Sequence, residues 1–422
     1  MASPPSYRFA QARYTPDVAA DQIALPVRER VLALDVLRGI AVGGILIANV
    51  FVFFGLGFLS RDQVAALATT TADHAALWFE HVFIDQKFYS IFSLLFGIGF
   101  GIQLSRGGEA ALPRFKRRLR ILLAMGAIHA FFIWAGDILM LYALLGFTLP
   151  WFARKQDRDL LKWTVILLAT PTALYALVLL VWVVTGQHAG SANSGLPAPM
   201  LHFFEGIGRG GFKEAFIGNL VFLSGRWADL FATVRFPKVL GMFVLGLWTV
   251  RTGVTSSLEN RRALLVKWAT LGWLIGLPAN LAAAWIFERW HYLPPNGGGL
   301  IGTALQGVGV PMLAIGYAAT IALLVIAGRR WITVFAPVGR MALTNYLMHS
   351  LICTTLSYGF GFGLWWHTSP ATAMAIAVAI IVVQIPLSAL WLSGFRFGPV
   401  EWIWRRLTYR RPIAMRLDPA AL

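Results

Sequence analysis

Runs of about 20 apolar residues recur along the chain, and they constrain the fold more than any other feature of the sequence. Each run is long enough to cross the hydrocarbon core of a bilayer as one helix, where the backbone must satisfy its own hydrogen bonds. We therefore predict an all-α, polytopic integral membrane bundle of about ten transmembrane helices. Their approximate bounds are 34–58, 84–104, 118–136, 138–153, 161–185, 237–252, 263–287, 301–326, 337–358 and 372–395.

The composition excludes a soluble globular enzyme, because 58% of the 422 residues are hydrophobic and only 13% are charged. The formal net charge of +17 would suggest a nucleic-acid partner in a soluble protein. In a membrane protein it indicates basic loops on one side of the bilayer, so no nucleic acid is expected. The single cysteine, Cys353, excludes an internal disulfide, and no metal-ligand spacing occurs in the sequence.

The basic residues also predict an orientation. If the N-terminus is cytoplasmic, 27 of the 36 Lys and Arg residues fall in segments on the cytoplasmic side, whereas the acidic residues divide almost evenly. The positive-inside rule interprets this asymmetry as orientation. We therefore expect both termini to be cytoplasmic, with no signal peptide in the polar first 33 residues.

Five regions follow from these boundaries. They are a polar cytoplasmic segment (1–33), an N-terminal bundle of about five spans (34–185), an outer-face loop with short amphipathic helices (186–236), a C-terminal bundle of about five spans (237–395) and a basic cytoplasmic tail (396–422).

His129 is the first candidate for a functional residue. It lies about eleven residues into the third predicted span, near the middle of the bilayer, where an ionisable group is costly without a partner. Asp137 follows eight residues later and would lie close to the same face if the helix continues. A buried imidazole can exchange a proton near neutral pH, so this pair predicts general acid–base chemistry. The alternative is a His that only bonds a neighbouring helix.

Other polar side chains in or beside the predicted spans extend the candidate set. Asp35 and Arg38 can form an interfacial ion pair, or Arg38 can hold an anionic group. The remaining substrate-binding candidates are Lys87, Asn345 and His349, for which snorkelling or interhelical hydrogen bonding is the alternative. Asn49 is a further catalytic candidate, and His74, Asp85, Arg117 and Arg118 are secondary ones.

Several separated motifs, in order, resemble the YeiB-like bacterial membrane proteins, whose C-terminal half is a domain of unknown function. The matching stretches are Leu34–Gly39 with Asn49, Lys87–Gly97, Ile128–His129 with Trp134–Leu139, Gly339–Leu347, and Phe395–Arg405. The resemblance implies a multi-pass protein of the bacterial inner membrane.

The Leu-Asp-x-x-Arg-Gly opening is also similar to the first helix of the transmembrane acyltransferase superfamily. Acyltransferase-3 proteins pair this Arg with a His eleven residues later, but Asn49 stands there in this sequence. Heparan-alpha-glucosaminide N-acetyltransferases also carry Asn at the equivalent place and use a His elsewhere. This similarity nominates His129 first and His74 second.

The resemblance implies transfer of an acyl group from cytoplasmic acyl-coenzyme A to a carbohydrate or lipid acceptor at or across the membrane. Basic side chains near Arg38 and Arg114–Arg120 would hold the coenzyme phosphates, and His129, oriented by Asp137 or Asn345, would act as base or take the acyl group. Asn49 would donate to the oxyanion. Membrane lipids are expected partners, and a homodimer is compatible with this scheme. A transporter for a small solute or lipid, or a membrane scaffold, could use the same polar residues.

Overall fold

The computed structural model describes residues 32–186, 198–255, 259–290 and 292–417, and this part of the chain is built from helices. Its only β-type pairing is one isolated bridge between Phe395 and Arg416. Most of the predicted polar segment 1–33 lies outside the described residues. The all-α class is confirmed.

The described part of the first half begins at Leu32 with a long helix and contains both long and broken helices. Its elements are α1 (Leu32–Phe53), α2 (Arg61–Leu67), α3 (Thr71–Phe79), a π-helical segment (Glu80–Ile84), α4 (Lys87–Gly107), α5 (Leu112–Phe132), α6 (Leu139–Gly146), α7 (Leu149–Ala153) and α8 (Asp157–Val184).

The second half contains three long apolar helices, α12, α13 and α17, together with shorter ones. Its elements are α9 (Ala198–Arg209), α10 (Phe212–Ala232), α11 (Arg235–Arg251), α12 (Arg262–Arg289), α13 (Gly297–Ile326), α14 (Arg330–Thr333), α15 (Ala336–Arg340), α16 (Ala342–Ser357), α17 (Pro370–Gly394) and α18 (Pro399–Tyr409).

Six helical stretches of the described residues are long and apolar enough to cross a membrane, and α10 with α11, which are bent by 69°, would make a seventh. The six are Leu32–Phe53, Thr71–Phe132, Asp157–Val184, Arg262–Arg289, Gly297–Ile326 and Pro370–Gly394. The chain is therefore a membrane protein, but the predicted count of ten spans and the orientation of the termini are not confirmed.

Two of the predicted spans are broken helices. The predicted span 138–153 consists of α6 and α7, and the predicted span 337–358 consists of α15 and α16. Each piece is shorter than the roughly 20 residues that a full crossing requires. The segment 186–236 also differs from the short surface helices expected, because α10 has 21 residues and buries Asn219, Phe222 and Leu223.

Helices α4 and α11 cross with their backbones in contact. A methyl group at Gly97 would overlap the carbonyl oxygen of Phe243, and one at Gly246 would overlap the carbonyl oxygen of Leu94. In lipid, small residues at a crossing permit the dense van der Waals packing that holds helices together. This contact fixes α11 against α4 at the centre of the bundle.

Helices α5 and α6 form a hairpin whose turn is buried. Helix α5 stops at Phe132, and α10 supplies the polar partner for the broken end. The side chain of Asn219 accepts a hydrogen bond from the amide of Ala135 (2.7 Å) and donates to the carbonyl oxygens of Ala130 and Phe131. Irregular backbone is stable inside a membrane protein only when it is satisfied in this way. The turn carries part of the candidate site.

Candidate functional site

His129, Asp137 and Ser350 form a hydrogen-bonded chain inside the bundle. The Nδ1 atom of His129 lies 2.8 Å from Oδ2 of Asp137, and its Nε2 atom lies 2.9 Å from Oγ of Ser350. The exposed fractions of the three residues are 1% for His129, 6% for Asp137 and 0% for Ser350. A buried Ser-His-carboxylate chain with these distances has the geometry of an activated nucleophile.

The turn after α5 brings Asp137 onto His129. The sequence suggested that the two residues share a helix face, but α5 has ended before Asp137 and the chain doubles back instead. The second oxygen of Asp137, Oδ1, accepts a hydrogen bond from the amide of Met140 at 2.7 Å. This bond holds the carboxylate at the start of α6 and fixes the oxygen that faces the imidazole.

Ser350 comes from α16, 221 residues away from His129 in the sequence. One turn earlier on the same helix, the ring of Tyr346 packs against His129, with their centroids 5.3 Å apart. The hydroxyl of Tyr346 accepts a hydrogen bond from the amide of Ile138 at 3.2 Å. The edge of Trp134 faces the imidazole from the turn, with the ring centroids 6.4 Å apart. The imidazole is thus fixed in orientation by both neighbouring elements.

The hydrogen-bond partners assign the tautomer of His129. When Asp137 is ionised, its carboxylate only accepts hydrogen bonds, and Nδ1 then carries the proton that it donates to this carboxylate. The unprotonated Nε2 can then accept the hydroxyl proton of Ser350. This arrangement resembles that of a serine nucleophile with its base and its orienting acid.

Asn345 and His349, two of the predicted substrate-binding residues, join α16 to α17 in this structure. The side-chain amide of Asn345 donates to the hydroxyl of Ser388 (3.1 Å) and to the carbonyl oxygen of Val338. The Nε2 atom of His349 lies 2.6 Å from the amide oxygen of Gln384. The residue that orients His129 is therefore Asp137, and α17 holds the helix that carries Ser350.

The candidates on α1 lie apart from this chain of hydrogen bonds. Asp35 and Arg38 form the predicted ion pair, with 2.9 Å between Oδ1 and Nη1. Asn49 is half-buried, and its side chain has no hydrogen-bond partner among the described residues. The secondary candidate His74 is exposed on α3.

Lys87 is buried at the start of α4, with an exposed fraction of 1%. Its ammonium group donates to the carbonyl oxygen of His81 at 2.7 Å, so the side chain does not snorkel freely to an interface. Its neighbour Asp85 accepts a hydrogen bond from the side-chain amide of Gln86. These residues belong to a second polar cluster.

Arg117 and Arg118 bind α18 to the helix that carries His129. The guanidinium of Arg117 donates to the carbonyl oxygen of Thr408, and that of Arg118 lies 4.0 Å from the ring centroid of Trp404. The indole of Trp404 in turn donates to the carbonyl oxygen of Arg118 at 3.1 Å.

Glu401 binds the same helix, α18, to the helix that carries Ser350. Its Oε1 atom accepts hydrogen bonds from the amides of Leu343 and Thr344, and Oε2 accepts one from the Thr344 hydroxyl at 2.6 Å. A carboxylate at the N-terminus of α16 satisfies free amides and complements the helix dipole. Helix α18 therefore braces the two helices whose side chains meet at the site.

We expect Glu401→Gln to destabilise the protein by about 2 kcal/mol, because an amide group replaces the anionic acceptor of the Thr344 hydroxyl. The measurement is the melting temperature of the detergent-solubilised full-length protein. Glu109→Gln is the control, since Glu109 is exposed. Equal melting temperatures for the two variants would contradict a bracing role of Glu401.

Within the described residues, no three His, Cys, Asp or Glu side chains come together as a metal-ligand set. The chemistry assembled here belongs to the serine, imidazole and carboxylate. Ser350, Tyr346 and Asn219 were not among the sequence candidates. The sequence pointed indirectly to two of them: Tyr346 and Ser350 lie next to the candidates Asn345 and His349 on α16.

Comparison with known proteins identifies relatives along nearly the full length of the chain. Residues 249–411 match the family described as "Protein of unknown function (DUF418)". The uncharacterized protein YxaH of Bacillus subtilis is 33% identical over 92% of this chain and 97% of its own. The uncharacterized protein YeiB of Escherichia coli is 31% identical over 90% of this chain and 97% of its own. No solved structure matches the chain.

Proposed function

The chain belongs to the YeiB-like family of membrane proteins that carry the DUF418 domain, and for this member we propose a transmembrane acyltransferase activity. The observation that supports the proposal is the Ser350–His129–Asp137 chain of hydrogen bonds within the bundle. Acyl transfer is the reaction class to which a serine with an oriented imidazole base is suited.

In the first half-reaction, the Ser350 oxygen attacks the carbonyl carbon of an acyl thioester while His129 takes the hydroxyl proton on Nε2. Asp137 stabilises the imidazolium through Nδ1. The carbon–sulfur bond then breaks, the imidazolium returns its proton to the thiolate, and the acyl group remains on Ser350 as an ester.

In the second half-reaction, an acceptor hydroxyl loses its proton to His129 and attacks the Ser350 ester. The ester oxygen of Ser350 recovers the proton, and the acylated acceptor leaves. The acceptor is a carbohydrate or lipid at or across the membrane, and the overall reaction exchanges a thioester for an ester without any redox partner.

Two backbone amides of the turn are the candidates for oxyanion donors. Gly136 and Asp137 lie outside the helices, and their N–H groups have no acceptor among the described residues. Buried, unpaired N–H groups beside a nucleophile are the usual means of stabilising a tetrahedral intermediate. Asn49 is the side-chain candidate for the same role.

The donor proposed is acyl-coenzyme A. Arg38, Arg117 and Arg118 supply basic side chains for its phosphates, and Arg118 precedes His129 by eleven residues of continuous helix, about 16 Å along the axis. A donor whose thioester lies at the end of a long arm, away from its phosphates, suits the distance between Arg118 and His129. In this scheme the protein lies in a bacterial inner membrane, and the basic ends of the bundle face the cytoplasm. This orientation agrees with the positive-inside rule.

The proposal is tested by trapping the acyl-enzyme. Purified full-length protein is incubated with acyl-coenzyme A of several chain lengths, without acceptor, and the intact mass and the modified peptide are measured. We expect the mass of one acyl group on Ser350 and none in Ser350→Ala. Ser357→Ala is the matched control, because Ser357 is a fully buried serine on the same helix. Labelling that persists in Ser350→Ala, or no labelling with any donor, would overturn the proposal.

A further inference from the structure

A second polar cluster lies where α4, α10, α11 and α13 meet, and it contains four cationic side chains. They are Lys87, Arg226, Arg235 and Lys238. We call these four residues, together with Gln86 and Gln306, the cationic corner. Gln86 connects its parts: the side-chain amide donates to Gln306 (3.3 Å), and its oxygen accepts from Lys238 (3.3 Å).

The cationic corner has more positive charges than carboxylate partners. Asp229 accepts from both Arg226 (3.1 Å) and Arg235 (3.4 Å), so two guanidinium groups share one carboxylate. Lys87 bonds a backbone carbonyl and Lys238 bonds an amide, so neither ammonium has a carboxylate within 4.0 Å among the described residues.

The nearby carboxylates do not balance this excess. Glu80 lies 2.6 Å from the ring nitrogen of His81 and also interacts electrostatically with Lys87, so three carboxylates (Glu80, Asp85 and Asp229) stand against four cations. Asp85 accepts a hydrogen bond from Gln86 and offsets one charge of the cluster. Charges withdrawn from water are ordinarily paired, so the remaining excess calls for an anion.

Arg226 presents an unsatisfied donor to the interior of the corner. Its Nε atom is buried and has no hydrogen-bond partner. The side chains of Arg226 and Arg235 are nevertheless 21% and 25% exposed, so the corner can be reached from outside the bundle. A cavity of about 10 Å³, room for about one water molecule, is lined in part by Ser90, Lys238 and Gln306 and adjoins the corner.

The backbone is strained on both sides of the corner. Gln86 has a φ of 65° and Val234, directly before Arg235, has a φ of 50°. Side chains other than glycine rarely adopt this left-handed region, and a β-branched residue does so at a particular cost. Such strain persists where surrounding contacts impose it, and it is concentrated at binding and catalytic sites.

We propose that the cationic corner binds an anionic oxygen group of the phosphate class. The guanidinium groups of Arg226 and Arg235 offer planar donor pairs, and Lys238 adds a point charge. The phosphate belongs either to a lipid headgroup or to a soluble phosphate ester, and both present the same oxygens to these donors.

The position of the corner relates it to the serine site. Asn219 of α10 bonds the turn that follows His129, and Arg226 lies seven residues further along the same helix, about 10 Å away along the axis. If the proposed acyl transfer holds, an acceptor held by its phosphate at the corner can present a hydroxyl toward Ser350. The binding of the anion itself does not depend on that reaction.

The test measures binding without any acyl donor. Full-length protein in a neutral detergent is titrated with inorganic phosphate, and its melting temperature is followed. The same protein in nanodiscs of phosphatidylcholine with or without phosphatidylglycerol is analysed for retained lipid by native mass spectrometry. The variants are Arg226→Gln and Lys238→Gln, and the control is Lys213→Gln, an exposed lysine on α10.

We expect saturable stabilisation by phosphate, or selective retention of phosphatidylglycerol, in the wild type and in Lys213→Gln. Both variants should weaken that binding about ten-fold or more. A response to phosphate alone identifies a soluble ligand, and lipid retention alone identifies a headgroup. Equal binding by all four proteins, or no binding of either probe, would overturn the proposal. Acylation of Ser350 measured on the same variants separates this result from the fate of the proposed reaction.

Discussion

Ser350→Ala is expected to lower the rate of the proposed acyl transfer at least about 10³-fold, because the variant has no oxygen to carry the acyl group. His129→Gln should have an effect of the same order, since its loss removes the base that accepts the Ser350 proton. The measurement is the initial rate of acyl transfer from acyl-coenzyme A by the purified protein.

The double variant Ser350→Ala/His129→Gln distinguishes a catalytic unit from two separate contributions. Side chains that act in one step are strongly non-additive, so the double variant should be hardly slower than either single variant. Ser357→Ala serves as the control for disturbance of α16, and its rate should remain near that of the wild type. A Ser350→Ala protein that is folded and retains most of its transfer rate would contradict the serine mechanism.

Gly97→Val is expected to prevent stable folding of the bundle. The added side chain would overlap the carbonyl oxygen of Phe243, and backbone atoms cannot yield as the tip of a flexible side chain can. Overpacking of this kind costs several kcal/mol when the backbone must move, which is a large part of the stability of most proteins. The readout is the yield of monodisperse protein in size-exclusion chromatography and its melting temperature.

Gly99→Ala provides the matched comparison for Gly97→Val. It lies on α4 two residues later, and a methyl group there would meet no atom within 4 Å. Alanine favours the helix over glycine by up to about 1 kcal/mol, so this variant should be as stable as the wild type or slightly more stable. If Gly97→Val were as stable as Gly99→Ala, the close crossing of α4 and α11 would be wrong.

The membrane class could be predicted from the sequence, and so could two of the three hydrogen-bonded residues of the candidate site, His129 and Asp137. Apolar runs of about 20 residues leave few alternatives to membrane helices, and a His at such depth is unusual enough to single out. His129 and Asp137 do contact each other, but for a different reason from the one expected. The turn after Phe132 brings them together, and continuation of the helix would not.

Ser350 could not be identified in the same way. Serine is common in membrane helices, where its hydroxyl usually bonds the carbonyl four residues earlier, so beyond its position next to His349 nothing in the sequence singles Ser350 out. Its contact with His129 joins positions 221 residues apart and depends on how α5 and α16 pack. Glu401 is similar: its capping of α16 depends on the placement of α18, which no local pattern in the sequence encodes.

The predicted count of ten spans is not confirmed, and one reason is that hydropathy does not record where a helix breaks. The run around 138–153 is apolar throughout, yet it divides into α6 and α7. Polar partners from other helices, such as Asn219, make a broken helix tolerable in lipid. They come from distant parts of the sequence, so the break becomes visible only in the folded chain.

The enclosure of Ser350 and His129 bears on the fate of an acyl ester formed there. In an aqueous cleft, such an ester would be lost to hydrolysis, since water at its bulk concentration outcompetes a dilute alcohol. Side chains with exposed fractions of 0% and 1% meet no bulk solvent, so the ester would persist until an acceptor displaced it. If the proposed acyl transfer holds, the burial of Ser350 would thereby favour transfer to an acceptor over hydrolysis.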